Sequence, residues 1–322
     1  MSQAPSRSAK TRRRPTKASK RGAPSSRAEA MRPSIYDEVT ARVIGELEVG
    51  CVPWVQPWAA AGAGNVAMPR NAASQRPYSG INILILWATG VAQRFPSQDW
   101  LTFRQAQALG GSVRRGEHGA TIVYADRFTP EDGTDGDTGE EELRSIPFLK
   151  RFTVFNVAQC EGLRAFAADP APLGLDAVQP LGEQLIRASR VEYRIGGDEA
   201  FYAPIFDFVQ VPPQSAFFDP VNYYRTAFHE LTHATGHASR VGRDLKLTYA
   251  SPGHAREELI AEMGSAFLCA SLGIQPTVRH ADYLGAWLTL LRNDSRAIVR
   301  AARQASKAAD WLLARLRAAD AA

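Results

Sequence analysis

A chain of 322 residues with a formal net charge of +5 and 45% hydrophobic side chains has the size for two domains and the composition of a soluble globular protein. No apolar run approaches the ~18 residues of a membrane span. Three scattered cysteines (Cys51, Cys160, Cys269) argue against a disulfide framework and a cysteine-type zinc site, and favour a reducing, cytoplasmic compartment with no membrane partner.

Residues 1–32 hold ten Lys/Arg and a single acid, Glu29, so the positive charge belongs to this tail. Residues 1–33 have almost no large apolar side chain and cannot repay the entropy of ordering, which predicts a disordered basic tail. Such a tail serves as an arm for phosphate backbones or as a solubilising segment. Its Arg- and Ser-rich start also shares the composition of an organellar transit peptide.

Globular composition begins at 34. The apolar spacing of Tyr36, Val39, Val43, Ile44 and Leu47 predicts a helix over 34–47, with Ser34 as its cap. The Pro- and Trp-bearing run 52–58 is irregular. A second helix is expected over 83–89 and a third over 100–109. A turn-rich basic ribbon, 110–119, leads into a strand over 121–128 that pairs with a second strand over 148–157. Between them, 131–142 holds seven acids and no large side chain, as expected of a hairpin tip or flexible insertion. The region 34–165 is therefore read as an α/β domain. With those seven acids set aside, its Lys/Arg outnumber its acids by twelve to eight, and four of the six tryptophans (Trp54, Trp58, Trp87, Trp100) lie in it. Basic residues interleaved with aromatics suit single-stranded DNA, whose bases stack on rings while arginines track phosphates. Each tryptophan taken singly reads better as core. Arg70, Arg76, Arg114 and Arg115, on polar loops, are the candidate DNA contacts.

An Ala- and Pro-rich linker is expected at 166–180. A second domain follows at 181–322, mostly helical with a small sheet. It comprises a short helix over 181–189, strands near 200–202 and 207–211, a helix between Asp219-Pro220 and Gly236, another over 253–272, and one or two helices from 282 onward.

The helix that ends at Gly236 carries Phe228-His229-Glu230-Leu231-Thr232-His233, an H-E-x-x-H pattern. Residues four apart leave one helix face about a turn apart, so His229 and His233 reach one tetrahedral zinc ion, with Glu230 as general base beside it. Another divalent metal is an alternative occupant. A third ligand is required. The longer three-histidine pattern would need a histidine at 239, where the chain has Ser239. On the 253–272 helix, Glu258 and Glu262 share a face and Glu257 is rotated about 100° away. Glu258 is the expected ligand and Glu262 the carboxylate that supports a ligand histidine. His237 is a lesser candidate, and His254 and His280 read as surface residues. The strand at 207–211 is expected to offer a free edge to an extended peptide.

Taken together, the chain resembles the ArdC antirestriction family, related to the amino-terminal part of TraC-type plasmid primases. The stretches that carry the resemblance are Pro53-Trp54, Arg76-Pro77-Tyr78-Ser79-Gly80-Ile81-Asn82, Trp100-Leu101-Thr102-Phe103-Arg104-Gln105-Ala106, Val113-Arg114-Arg115-Gly116-Glu117-His118-Gly119, Phe155-Asn156-Val157-Ala158-Gln159, the motif through His237, and Arg256-Glu257-Glu258-Leu259-Ile260-Ala261-Glu262. The resemblance implies an α+β protein with a single-stranded-DNA-binding domain before a zincin-like metallopeptidase domain. It also implies a bacterial cytoplasmic protein of mobile DNA that shields incoming strands from restriction. His229 and His233 would then be metal ligands and Glu230 the base, acting on an unidentified protein substrate. Two competing readings are a DNA-coating protein whose metal is structural and an intracellular zinc protease with no DNA role.

Overall fold

A computed structural model describes residues 34–55, 67–128, 146–164, 166, 169–245, 251–275 and 283–321. The tail, Trp58, His280 and the acidic run 131–142 lie outside these residues. Helix α1 (Ile35–Glu48) places Asp37 and Glu38 in its first turn, where the helix dipole favours acids. It closes on Gly50, whose φ of 76° is the left-handed conformation glycine adopts freely. Strand β1 (Arg70–Asn71), helix α2 (Ile81–Ala92), strand β2 (Asp99–Thr102) and helix α3 (Phe103–Ala108) follow. The helix expected over 100–109 thus starts three residues late, its first three residues being strand. Trp100 and Leu101 point to opposite faces of β2 and both are fully buried, a two-sided burial that suits an inner strand. The helix starts only after Thr102, whose hydroxyl accepts from Gln105 N while the Gln105 side chain accepts from Thr102 N, a capping box.

The short β3 (Ser112–Val113) pairs with β6 (Cys160–Glu161), while β4 (Ala120–Phe128) and β5 (Ile146–Asn156) form the long hairpin. The four-stranded sheet runs β1-β2-β5-β4. The outer edge of β4 meets the Asn82 side chain, which donates to Val123 O at 2.8 Å and accepts from Val123 N at 2.9 Å.

In the second half, α4 (Leu175–Ser189) begins inside the stretch expected to be a linker. Pro180 lies within this helix, yet both it and Asp176, whose carbonyl loses its helical partner, are exposed to water. Strands β7 (Glu192–Ile195), β8 (Phe201–Ala203) and β9 (Phe208–Val211) form a sheet of order β7-β9-β8. The strand read as a free edge, β9, is therefore central, because Val209 and Val211 are fully buried. The edges are β7 and β8. Then come α5 (Val221–Ala234), α6 (Pro252–Ser271), α7 (Leu284–Asn293) and α8 (Ala297–Asp320).

The main apolar core joins residues of α1 and α2 to α4–α8 and the small sheet, so both halves of the chain contribute to it. Trp54, Trp87, Trp100 and Trp287 are all buried within the protein. Trp87 Nε1 donates to Ala67 O at 3.0 Å and Trp287 Nε1 to Ala255 O at 3.1 Å. Close approach of α5 and α6 depends on Gly264, where a Cβ would lie 2.5 Å from Thr232 Cγ2.

Candidate metal centre

Helix α5 is buried along almost its whole length, and that burial determines where its histidines can go. Asp219 Oδ1 accepts from Val221 N at 3.1 Å to start the helix. At its end Gly236 is required for space, since a Cβ there would lie 2.8 Å from the Leu245 side chain and 2.9 Å from His233 O. One turn of helix separates His229 from His233, and their Nε2 atoms converge to 3.2 Å. Helix α6 starts at Ser251, whose hydroxyl accepts from His254 N at 3.1 Å, and carries Glu258 to the same point. Glu258 Oε2 is 3.4 Å from His229 Nε2, and Oε1 is 3.5 Å from His233 Nε2.

These separations have a simple metric meaning. With metal–ligand bonds of about 2.0–2.1 Å, the edges of a coordination tetrahedron measure about 3.3–3.4 Å. Ligand atoms of the three residues lie within 4.8 Å of one another. Two imidazoles and a carboxylate suit a borderline divalent cation, and three protein ligands leave a fourth position for water.

Each histidine is also held from behind. His229 Nδ1 lies 3.5 Å from Glu262 Oε1, and His233 Nδ1 lies 3.2 Å from Glu257 Oε1. Glu257 is in turn gripped by Arg243, whose NH2 donates to Oε1 at 2.7 Å and whose Nε donates to Oε2 at 3.0 Å. Arg243 also donates to Thr235 Oγ1 at 2.8 Å and Thr232 O at 2.7 Å, which ties the cluster to the end of α5. Such carboxylates fix the ring orientation and raise the basicity of a ligating histidine. Burial works against charge on His233, but hydrogen bonds to Glu257 and Glu258 outweigh it and raise its pKa to about 10. Burial likewise opposes ionisation of Glu258, yet its bonds to His229 and His233 hold it well below the usual carboxylate range.

A cavity of about 350 Å³ opens onto the cluster, and Glu230 lines it beside His229, His233 and Glu258. Phe201, Tyr202 and Pro204 form part of its wall. Two further polar groups border it: His254, which reads from sequence as a surface residue, and Tyr283, which the sequence did not single out. His254 Nε2 is 3.2 Å from the Tyr283 hydroxyl, and its Nδ1 is 3.9 Å from Glu258 Oε1. His254 sits one turn before Glu258 on α6, a spacing that was there to be read. Glu257, read as turned away, serves His233. The 100° rotation is real, but α6 passes across both histidines, and neighbouring faces of it meet different rings. His237 lies outside the cluster and hydrogen-bonds Ser239 at 2.8 Å.

The four candidate DNA contacts are less alike than their sequence suggests. Arg70 donates to Asp99 through Nε at 2.8 Å and NH2 at 2.7 Å, and its NH2 also reaches Asp169 at 3.1 Å. This guanidinium joins β1, β2 and the stretch after β6, so of the four Arg70 is the one already engaged by two carboxylates. Arg114 is exposed and pairs with Glu117 at 2.6 Å, while Arg76 and Arg115 are exposed. Sequence reading missed two surface aromatics, Tyr124 (61% exposed) and Phe152 (42%). Register pairs Ile122 with Phe152 and Tyr124 with Lys150, so both rings share one face of the β4–β5 hairpin as diagonal neighbours.

Residues 33–155 match the N-terminal domain of the anti-restriction factor ArdC, and residues 180–304 match the zincin-like metallopeptidases. The protein y4eC of Sinorhizobium fredii (strain NBRC 101917 / NGR234) is 38% identical over 86% of this chain and 91% of its own length. A DNA primase TraC of Escherichia coli is 37% identical over 89% of this chain, which spans only 28% of that primase. The metal-free crystal structure of the antirestriction ArdC protein from plasmid R388 superposes with a TM-score of 0.74 at 37% identity, over 89% of this chain and 99% of that one. Its Mn(II)-bound structure gives a TM-score of 0.72 at 36% identity, over 88% and 98%. Likeness of this extent and coverage, through both halves of the fold, makes the chain a member of the ArdC antirestriction family with a zincin-like metallopeptidase domain.

Proposed function

We propose that this protein is a single-stranded-DNA-binding antirestriction factor of mobile DNA in the bacterial cytoplasm that hydrolyses a peptide bond in a protein partner. The observation that carries the proposal is the convergence of His229 Nε2, His233 Nε2 and Glu258 at tetrahedral edge lengths, with Glu230 lining the same cavity. In this reading His229, His233 and Glu258 hold a divalent cation, and zinc fits the donor set as well as manganese does. Such an ion, when bound, polarises a carbonyl and eases deprotonation of water. Glu230 takes the proton of the attacking water and returns it to the leaving amine as the C–N bond breaks. Glu257 and Glu262 keep the two imidazoles in their ligating orientation. Edge strand β8 offers its free main-chain groups to an extended substrate.

On the DNA side, Arg76, Arg114 and Arg115 supply phosphate contacts, and Tyr124 and Phe152 supply stacking surfaces. Two measurements test the whole. Glu230→Gln should abolish cleavage of a protein substrate while bound metal stays stoichiometric. If protection of incoming DNA and any peptide cleavage both survive unchanged in that variant, the protein works by coating strands and the metal is structural. Fluorescence anisotropy should show preference for single over double strands and affinity that falls with salt. Absent or salt-insensitive binding would leave a protease without a DNA role.

A further inference from the structure

Soluble proteins seldom hold large apolar side chains rigidly in water, and a cluster of them marks a contact surface. Beside the metal cavity, the turn from Ala203 to Asp207 does so. Ile205 is 89% exposed and Phe206 is 73% exposed. The turn is not loose. Asp207 N and Phe206 N both donate to Ala203 O, at 2.8 and 3.2 Å. Asp207 adopts a φ of 54°, a strained conformation that its surroundings must hold in place. Its carboxylate accepts from the Tyr202 hydroxyl at 2.8 Å and from both Arg240 nitrogens at 2.7 and 2.8 Å. Arg240 also donates to Ala234 O at 2.8 Å, so the turn is bolted to the end of the helix that carries His229 and His233.

Three neighbouring features point to one occupant. The strand leading into the turn is β8, one of the two outer strands of its sheet, and among the described residues no strand pairs with its other side. The first residue of the turn's apolar run, Pro204, lines the cavity with Phe201 and Tyr202. Behind the turn, Phe206 and Phe201 rest against Phe208, with centroids 6.4 and 5.9 Å apart, so the apolar surface continues across the strand. Unpaired main chain on β8, the cavity beside it and a fixed apolar step in the turn that follows suit an extended polypeptide.

We infer that Ile205 and Phe206 are specificity-determining residues that select a large apolar side chain close to the bond to be cut. This rests on the metallopeptidase reading above. A Leu side chain that packs partly against the two residues gains about tenfold in affinity over Ser.

The test uses the full chain loaded with zinc and two acetylated tripeptide hydroxamates that differ only in having Leu or Ser next to the hydroxamate, with binding followed by calorimetry. The wild-type protein should favour the Leu compound by about tenfold, and Ile205→Ser/Phe206→Ser should narrow that to about twofold. Val49→Ser, at a similarly exposed apolar site in the turn after α1, should keep the full preference. A second variant, Ile205→Glu, should turn the preference toward a Lys hydroxamate. Full preference for Leu in both turn variants, or none in the wild type, overturns the inference alone. Absence of any hydroxamate binding to the metal-loaded protein overturns the metallopeptidase reading beneath it.

Discussion

The two charged regions of this molecule use ionic groups in opposite ways. Around His229 and His233 the carboxylates of Glu257, Glu258 and Glu262 are buried, and each lies within 3.5 Å of an imidazole nitrogen. On the basic ribbon after α3, Arg114 and Glu117 meet at 2.6 Å at the surface, and Arg115 stands in water. A buried charge without a partner is costly, so the first region is a set of interlocked positions where every member depends on the others. A charge in water carries no such obligation, so the second region is free to give its cations to a ligand.

The largest expected effect separates the two regions directly. Arg243→Met leaves Glu257 buried without its cation and should cost about 3–5 kcal/mol of stability in urea unfolding. Arg114→Met should leave the unfolding midpoint unchanged. Equal effects would mean that the buried cluster is not the interlocked unit described here. A smaller loss is expected from Gly264→Val, whose added carbons must displace Thr232 and lift α6 from α5. Overpacking of this kind costs about 1–3 kcal/mol and should weaken metal binding in the same variant.

Within the cluster, Glu262→Gln retains shape but loses the negative charge behind His229. Metal affinity should fall about 10–100-fold by competition with a chelator, with the fold intact. An unchanged affinity would remove Glu262 from the support of His229. On the surface, replacing Arg76, Arg114 and Arg115 together by Gln should flatten the dependence of log affinity on log salt for single strands by about two units. Replacing Tyr124 and Phe152 by Ala should weaken binding at every salt concentration without altering that slope.

How much of this could be read in advance follows the same division. The spacing of His229, Glu230 and His233 is enforced by one helix, and Glu258 and Glu262 by another, so residue numbers alone indicate shared faces. The pairing of 121–128 with 148–157 was legible because both strands are long and rich in β-branched and aromatic residues. Glu257 was misplaced because the relation between two helices, unlike the relation within one, depends on packing at positions such as Gly264 and Thr232. The stretch 100–109 was misread because helix-forming residues after Thr102 masked the two-sided burial of Trp100 and Leu101. The carboxylate partners of Arg70 were not legible because Asp99 and Asp169 are 29 and 99 residues away from it, and sequence spacing says nothing of such partners. Tyr124 and Phe152 are exposed although Ile122 on the same face packs with Leu86 of α2, a tertiary difference that alternation along the strand does not reveal.

The turn beside the cavity lies between these extremes, and its pH response is the smallest effect expected. Burial tends to raise the pKa of Asp207, but hydrogen bonds from Arg240 and Tyr202 more than compensate and hold it below its ordinary value. A carboxylate whose folded pKa is depressed stabilises the fold above its unfolded value of about 3.9, and that contribution is lost as pH falls through the folded pKa. Asp207 retains 32% side-chain exposure, so solvent screens the pair and the contribution is modest. Arg240→Gln should therefore lower stability most at neutral pH, and the loss should shrink as pH falls through the folded pKa of Asp207 to what the bond to Ala234 O contributes, as measured by urea unfolding against pH. Proton exchange at the 203–207 turn should quicken in the same variant before the amides of α5 respond, because the turn loses its bolt while α5 keeps its own buried packing. Simultaneous loss of protection in both would mean that the turn is part of the metal cluster's interlocked unit and has no separate stability of its own.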